Sequence, residues 1–178
     1  MSRGTLYDAR MATFDVRSAT VDDARGIAVV HIDTWRDAYR GIVPDDYLAA
    51  MDYDDREARW REGISAPDGP IRVVTEDDRV IGWSCYGPSR DDDTRGPVGE
   101  LYGIYVSSAF WGTGVGPALM GDALAWLHER FPVSTLWTLE QNARARAFYE
   151  RSGWTFDGTT KIDDRDTFVL NEVRYRVG

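Results

Sequence analysis

Apolar positions in this chain change period several times, and the changes mark out its elements. Ala24, Ile27, Ala28, His31, Ile32 and Trp35 recur at helical spacing. They follow Thr20-Val-Asp-Asp23, where Thr20 suits an N-cap and the acids suit a first turn. Residues 45–63 predict a second helical stretch carrying Tyr47, Leu48, Met51, Ala58 and Trp60, joined to the first through Gly41 and Pro44 as a lid-like pair. The period then shortens. Ile71–Thr75 and Val80–Tyr86 read as a hairpin turning at Glu76–Arg79, and Glu100–Val106 as a further strand. Pro117–Phe131 predicts a helix, with Pro at its first position and Met120, Leu124, Leu127 and Phe131 as its apolar stripe. Val133–Leu139 reads as a strand, Asn142–Ser152 as a helix ended by Gly153, and Trp154–Thr160 and Thr167–Arg176 as two closing strands. Phe14–Arg17 is a short first strand; residues 1–13 have no period and read as a flexible extension, with Met11 as an alternative start. Gly87–Gly96, with three consecutive Asp, reads as a solvated loop. The order predicts one α/β (α+β) domain over residues 14–178, a twisted, mixed, mostly antiparallel sheet of about seven strands flanked by about four helices.

Composition narrows the function classes. A length of 178 residues suits one domain, and 43% hydrophobic residues with 7 Trp and 9 Tyr support a packed core. The formal net charge of −9 argues against nucleic acid, whose phosphates need clustered Lys and Arg. Lys161 is the only lysine. The acidic field either favours a cationic substrate or simply keeps the protein soluble. Cys85 stands alone in an apolar strand, so an internal disulfide is excluded and a buried thiol is expected. No apolar run approaches the ~18 residues of a spanning helix, and the N-terminus lacks the apolar core of a signal peptide, so a cytoplasmic protein without membrane partners is expected.

Two segments carry candidate chemistry. Trp111-Gly-Thr-Gly-Val-Gly-Pro-Ala-Leu119 follows a strand and opens a helix, where successive backbone N–H groups and the helix N-terminus can hold a pyrophosphate. A Walker loop is excluded because Pro117 follows Gly116, and a dinucleotide fingerprint needs a glycine where Pro117 stands. A tight structural turn is the alternative. In the second segment, Asn142, Ala145 and Tyr149 share one helix face, offering an amide, a small side chain and a phenol. A helix N-capped by Asn142 with Tyr149 packed in the core is the alternative there.

Taken together and in order, the segments resemble the GCN5-related N-acetyltransferase (GNAT) superfamily. Its glycine motif, Arg/Gln-x-x-Gly-x-Gly/Ala, stands here as Trp111-x-x-Gly114-x-Gly116; its later motif, Asn-x-x-Ala-x-x-Phe-Tyr-x-x-x-Gly-Phe, stands as Asn142 to Trp154. The strand Leu101–Val106 and the opening Val16–Asp23 match as well, so the resemblance covers residues 14–178. There are two departures: Trp111 replaces a basic or amide residue, and Pro117 removes one donor.

The resemblance implies a GNAT-like fold and acetyl-CoA as co-substrate, with no metal. Cofactor contacts would come from Ile104, Tyr105, Val106, Trp111, Gly112, Thr113, Gly114, Val115, Gly116, Pro117, Asn142, Ala145 and Tyr149. The pantetheine arm would pair with the strand before the loop, where an amide would polarise the thioester carbonyl and stabilise the oxyanion. The amine would attack directly, Asn142 would orient the arm and Tyr149 would protonate the leaving thiolate. Glu100 is read either as the general base or as a solvated strand-end carboxylate, on one face with Tyr102, Ile104 and Val106. Trp35, Tyr39 and Tyr47 are acceptor-pocket candidates able to meet a cationic amine by cation–π contact, or else core aromatics; His31 is read as a packed histidine. The acceptor is expected to be a small-molecule amine. Protein N-terminal acetylation and non-catalytic acyl-CoA binding are the alternatives, the first disfavoured by Trp137, the second by Asn142 and Tyr149. A homodimer is compatible with the resemblance.

Overall fold

A computed structural model of the chain describes residues 14–66, 68–165 and 167–178; the expectation for residues 1–13 lies outside them. Seven strands form one sheet in the order β1-β2-β3-β4-β5-β7-β6. They are β1 (Arg17–Ser18), β2 (Ile71–Glu76), β3 (Arg79–Pro88), β4 (Val98–Val106), β5 (Val133–Leu139), β6 (Thr155–Asp164) and β7 (Val169–Val177). All neighbours are antiparallel except β4 and β5. Among the described residues five α-helices accompany them: α1 (Ala24–Ala38), α2 (Asp45–Ala50), α3 (Tyr53–Ser65), α4 (Val115–Arg130) and α5 (Ala143–Arg151).

Alternation along the strands sorts the core onto two faces. Val73 and Trp83 pack with Ile27 and Val30 of α1 and with Trp60 and Ile64 of α3. Val74 and Ile81, on the opposite face, pack with Val115 and Leu119 of α4. The same face continues into a cluster of Tyr86, Leu101, Met120, Leu127, Leu136, Tyr149, Trp154 and Tyr175.

The helical stretch expected over 45–63 is two helices. Asp52 breaks it: its carboxylate accepts from the N–H groups of Asp54 (2.8 Å) and Asp55 (2.9 Å), capping α3. Arg36 takes the carbonyls at the end of α2, those of Leu48 and Met51, each at 3.0 Å. Helix α4 begins at Val115, two residues ahead of the expected start, so Pro117 is its third residue, still in the turn where a backbone N–H has no helical partner. The 76–79 turn is tight because Asp77 and Asp78 both take positive φ (48° and 61°), the primed geometry that suits strand twist.

His31 fills a box of aromatic rings, its centroid 5.1 Å from that of Tyr105 and 5.3 Å from that of Trp83. Burial, aided by the Arg56 charge, pushes the imidazole down to about 3, and its Nδ1 makes no hydrogen bond to any described residue. A His whose folded value lies below its unfolded value of about 6.5 contributes stability that is complete above that value and drains away as pH falls. Thermal melts between about pH 6.5 and 4.5, above the carboxylate range, should therefore show stability falling by up to about 1.4 kcal/mol per pH unit. His31→Phe should flatten that slope; an unchanged slope would assign the acid sensitivity elsewhere.

Candidate active site

The site begins where the sheet comes apart. β4 and β5 pair in parallel only from Val98–Val133 to Leu101–Leu136, then diverge. A bulge at Tyr102 accompanies the parting: Tyr86 pairs with Leu101 but Cys85 with Gly103. The bulge overturns the expected alternation. Leu101 and Ile104 pack on the α4 face, so Glu100 shares the α1 face with Tyr105 rather than with Ile104. The N–H of Ser107 donates to Ile81 O at 2.9 Å, which sets the parity of the strand end. The backbone groups of Ser107 and Tyr105 thus face β3, and those of Ile104 and Val106 face the gap. The Val106 carbonyl already accepts from the Trp111 indole N–H (2.8 Å) and the Thr34 hydroxyl (3.3 Å). Ile104, with both groups, and the Val106 N–H are left open to the gap; Tyr105 offers the site its side chain instead of its backbone.

The glycine turn closes one end. Gly112 (φ +79°) and Gly114 (φ +107°) hold left-handed backbone that only glycine adopts readily, and Gly114 is the N-cap of α4. The N–H groups of Gly112, Gly114, Val115 and Gly116 bond to no other described residue. Thr113 is tied to Phe110 O by hydroxyl (2.7 Å) and N–H (3.4 Å), which fixes the turn. The Val115 side chain is fully buried, so this residue reaches the site through its backbone alone. Trp111, at the usually basic position, carries the Arg144 guanidinium over its ring, 3.1 Å from the centroid. Arg144 has no carboxylate partner among the described residues, so the turn has a cation after all, donated by α5.

Helix α5 forms the next wall. Asn142 caps it, Oδ1 accepting from Ala145 N–H at 3.1 Å, which leaves the amide N–H groups to the cleft. Ala145 and Tyr149 line the same wall. Tyr149 is 8% exposed, its hydroxyl bonds to no described residue, and burial pushes the phenol upward, so the proton stays on the oxygen.

The α1 face of the same cleft, about 1390 Å³ in all, carries Trp35, Tyr39, Tyr105, Trp137, Glu100 and Glu172. Trp35 donates to the Tyr105 hydroxyl at 3.2 Å and stacks edge-on against Tyr39 at 4.8 Å. Tyr47 departs from expectation: it lies outside this cleft, its ring 4.9 Å from Phe168 in an edge-on contact. Glu100 is neither free nor solvated; it is 4% exposed, and its two oxygens accept from Arg90 N–H (2.8 Å) and the Arg90 guanidinium (2.7 Å). The loop that brings Arg90 is largely exposed, as expected, but it is also pinned: Asp91 accepts from the Trp137 indole at 2.9 Å, and Arg174 binds Asp91, Asp93 and Asp157. Cys85 takes no part, since burial pushes its thiol up to about 12. Among the described residues no cluster of His, Cys, Asp or Glu could hold a metal ion, and no helix is long and apolar enough to cross a membrane.

Sequence reasoning passed over Thr34, Arg90, Arg144 and Glu172. Arg144 could have been found, because it lies two residues past Asn142. Glu172 could not, because only the inserted position of β7 between β5 and β6 brings it to the cleft.

A sheet parted in this manner beside a turn of unbonded amides is a slot for an extended ligand that ends in an anion. A profile described as the acetyltransferase (GNAT) family matches residues 32–154, and the chain belongs to that family. Among its relatives, the uncharacterised N-acetyltransferase YuaI of Bacillus subtilis (strain 168) is 34% identical over 128 residues, 71% of this chain and 72% of that one. The fold matches PaiA N-acetyltransferase from Thermoplasma acidophilum, crystallised in complex with coenzyme A, at TM-score 0.71 and 16% identity, covering 92% and 97% of the two chains. It also matches yncA from Salmonella typhimurium, solved with its cofactor acetyl-CoA, at TM-score 0.66 and 21% identity, covering 93% of each chain.

Proposed function

We propose that the protein transfers an acetyl group from acetyl-CoA to the amine of a small molecule, by direct attack in a ternary complex in the cytoplasm. The observation that carries this reading is the gap between β4 and β5, which leads from the unbonded amides of the glycine turn to the buried phenol of Tyr149. Acetyl-CoA supplies the acyl group as a thioester. The N–H groups of Gly112, Gly114, Val115 and Gly116 receive its diphosphate at the helix N-terminus, and Arg144 adds the charge that Trp111 lacks. Ile104 and the Val106 N–H pair with the arm as a strand would, and Asn142 orients it. Tyr149, held protonated, gives its proton to the departing sulfur.

The acceptor enters from the α1 face, along Trp35, Tyr39, Tyr105 and Trp137. Two carboxylates stand there to take the amine's proton. Glu100 is occupied by Arg90 through two bonds, so its part is to hold Arg90 in place. Glu172 has the ammonium of Lys161 as its ion-pair partner, at 3.1 Å, and is the base in this reading.

Acetyl-CoA at 100 times its Kd should stabilise the protein by about 2.7 kcal/mol, a rise in Tm of roughly 5–10 °C. A panel of small amines with a thiol-release readout then identifies the acceptor. Calorimetry showing no binding at millimolar CoA would end the reading.

A further inference from the structure

The chain has one ammonium side chain, and the fold delivers it to the acceptor face. Lys161 lies on the edge strand β6, opposite Glu172 of β7, which in turn lies opposite Leu139 of β5. Its side chain, though 45% exposed, lies along the face of the sheet. It reaches back across β7 until Nζ is 4.1 Å from the ring centroid of Trp137, a β5 residue. The amine therefore lies over a side chain of the strand that borders the gap, and Lys161 lines the same cleft as Tyr149. Two contacts hold it there, the aromatic face of Trp137 and the carboxylate of Glu172 at 3.1 Å. Glu172 is only 20% exposed in its side chain and close enough to the phenols of Tyr39 and Tyr105 to be felt by both. An aromatic face plus a carboxylate, opening on the cleft that also holds Tyr149, is what a primary alkylamine acceptor requires; the protein fills it with its own.

We infer that Lys161 is itself an acetyl acceptor, and that the protein modifies this residue in cis. The inference rests on the acetyl-CoA reading above. In the step, Glu172 takes one proton from the ammonium, and the freed Nζ lone pair attacks the thioester carbonyl carbon. The N–C bond forms as the C–S bond breaks, Tyr149 protonates the departing sulfur, the second proton lost by nitrogen returns through water to Tyr149, and Glu172 releases its proton to solvent. The products are CoA thiol and Nε-acetyl-Lys161. The acetylated side chain is neutral, so Glu172 is left without its cation and free to receive the ammonium of an incoming amine. Self-modification would thus convert the acceptor face from a self-occupied to an open state.

The full chain incubated with acetyl-CoA, followed by intact mass and peptide mapping, tests this. The expected result is a gain of one acetyl group at Lys161. Its first-order rate should be independent of protein concentration, fall at least about 100-fold in Tyr149→Phe, as loss of a general acid requires, and be suppressed by excess CoA. Lys161→Arg keeps the ion pair with Glu172, should melt as wild type does, and should gain no acetyl group within the 155–165 peptide. CoA binding by calorimetry without acetyl at Lys161 would overturn the inference and leave the acetyl-CoA reading standing. Acetylation at an unchanged rate in Tyr149→Phe would overturn it as well, by showing bulk chemistry. No CoA binding at all would overturn both.

Discussion

Gly114→Glu should fold and fail to bind acetyl-CoA. The position combines a backbone that disfavours any side chain, φ +107°, with open space: a Cβ there would meet nothing nearer than the Phe14 ring at 3.6 Å. Strain of roughly 1–2 kcal/mol is tolerable against a typical stability of ~5–15 kcal/mol. The new carboxylate would stand beside four N–H groups that await an anion. Against a diphosphate at about 4 Å it costs roughly 4 kcal/mol at an effective dielectric near 20, or about 10³-fold in affinity. Gly114→Ala carries the strain without the charge and should lose far less. Calorimetry with both variants separates the two causes, and equal CoA affinity in wild type and Gly114→Glu would show that the turn is only a turn.

Tyr149→Phe should remove catalysis and spare everything else. The leaving thiol has an ordinary value near ~8.5, so a positioned neutral donor lowers the barrier to expelling it. The phenol hydroxyl makes no bond to a described residue, so its deletion leaves no partner stranded, and the ring keeps its packing against Phe148 and Tyr175. The turnover number should fall by ~10²–10⁴-fold while Tm and acetyl-CoA affinity stay near wild type. Near wild-type turnover, with chemistry shown to limit the rate, would remove the acid role. Unfolding would instead mark Tyr149 as a packing residue.

Periodicity was enough for what repeats locally. β5 falls on the residues its apolar run predicts, and α5 starts behind Asn142 and ends at Gly153 as its caps require. The glycine turn was legible because its conformation is built into two glycines, Gly112 and Gly114. What escaped depends on competition between neighbours or on the sheet order. Asp52 splits a helix because one carboxylate among many acids captures two N–H groups, and composition alone does not choose which acid does so. One extra residue at Tyr102 reverses the faces of everything before it in β4, moving Glu100 to the acceptor side. The anchoring of the 88–97 loop was not legible, because Asp91 is held by Arg174, 83 residues away. The family resemblance points to the side of the cleft formed by the glycine turn and α5, whose motifs are contiguous in sequence; the opposite face is assembled from α1, the 88–97 loop and β5–β7, and carries no contiguous motif.

The parted strands also bear on where the sheet leaves a border open to a further strand. Unpaired strand borders template association, and proteins blunt them with brevity, charge or cover. The outer borders here follow that rule: β1 is two residues long, and β6 carries Asp157, Lys161, Asp163 and Asp164. The inner border, at Ile104–Val106, is left bare yet walled. Thr34 and Trp111 stopper its last carbonyl, α5 flanks one side and the α1 aromatics the other. In the acetyl-CoA reading, that border is where the amides of the arm pair. The fold thereby keeps this bare strand border inside a cleft instead of on its outside.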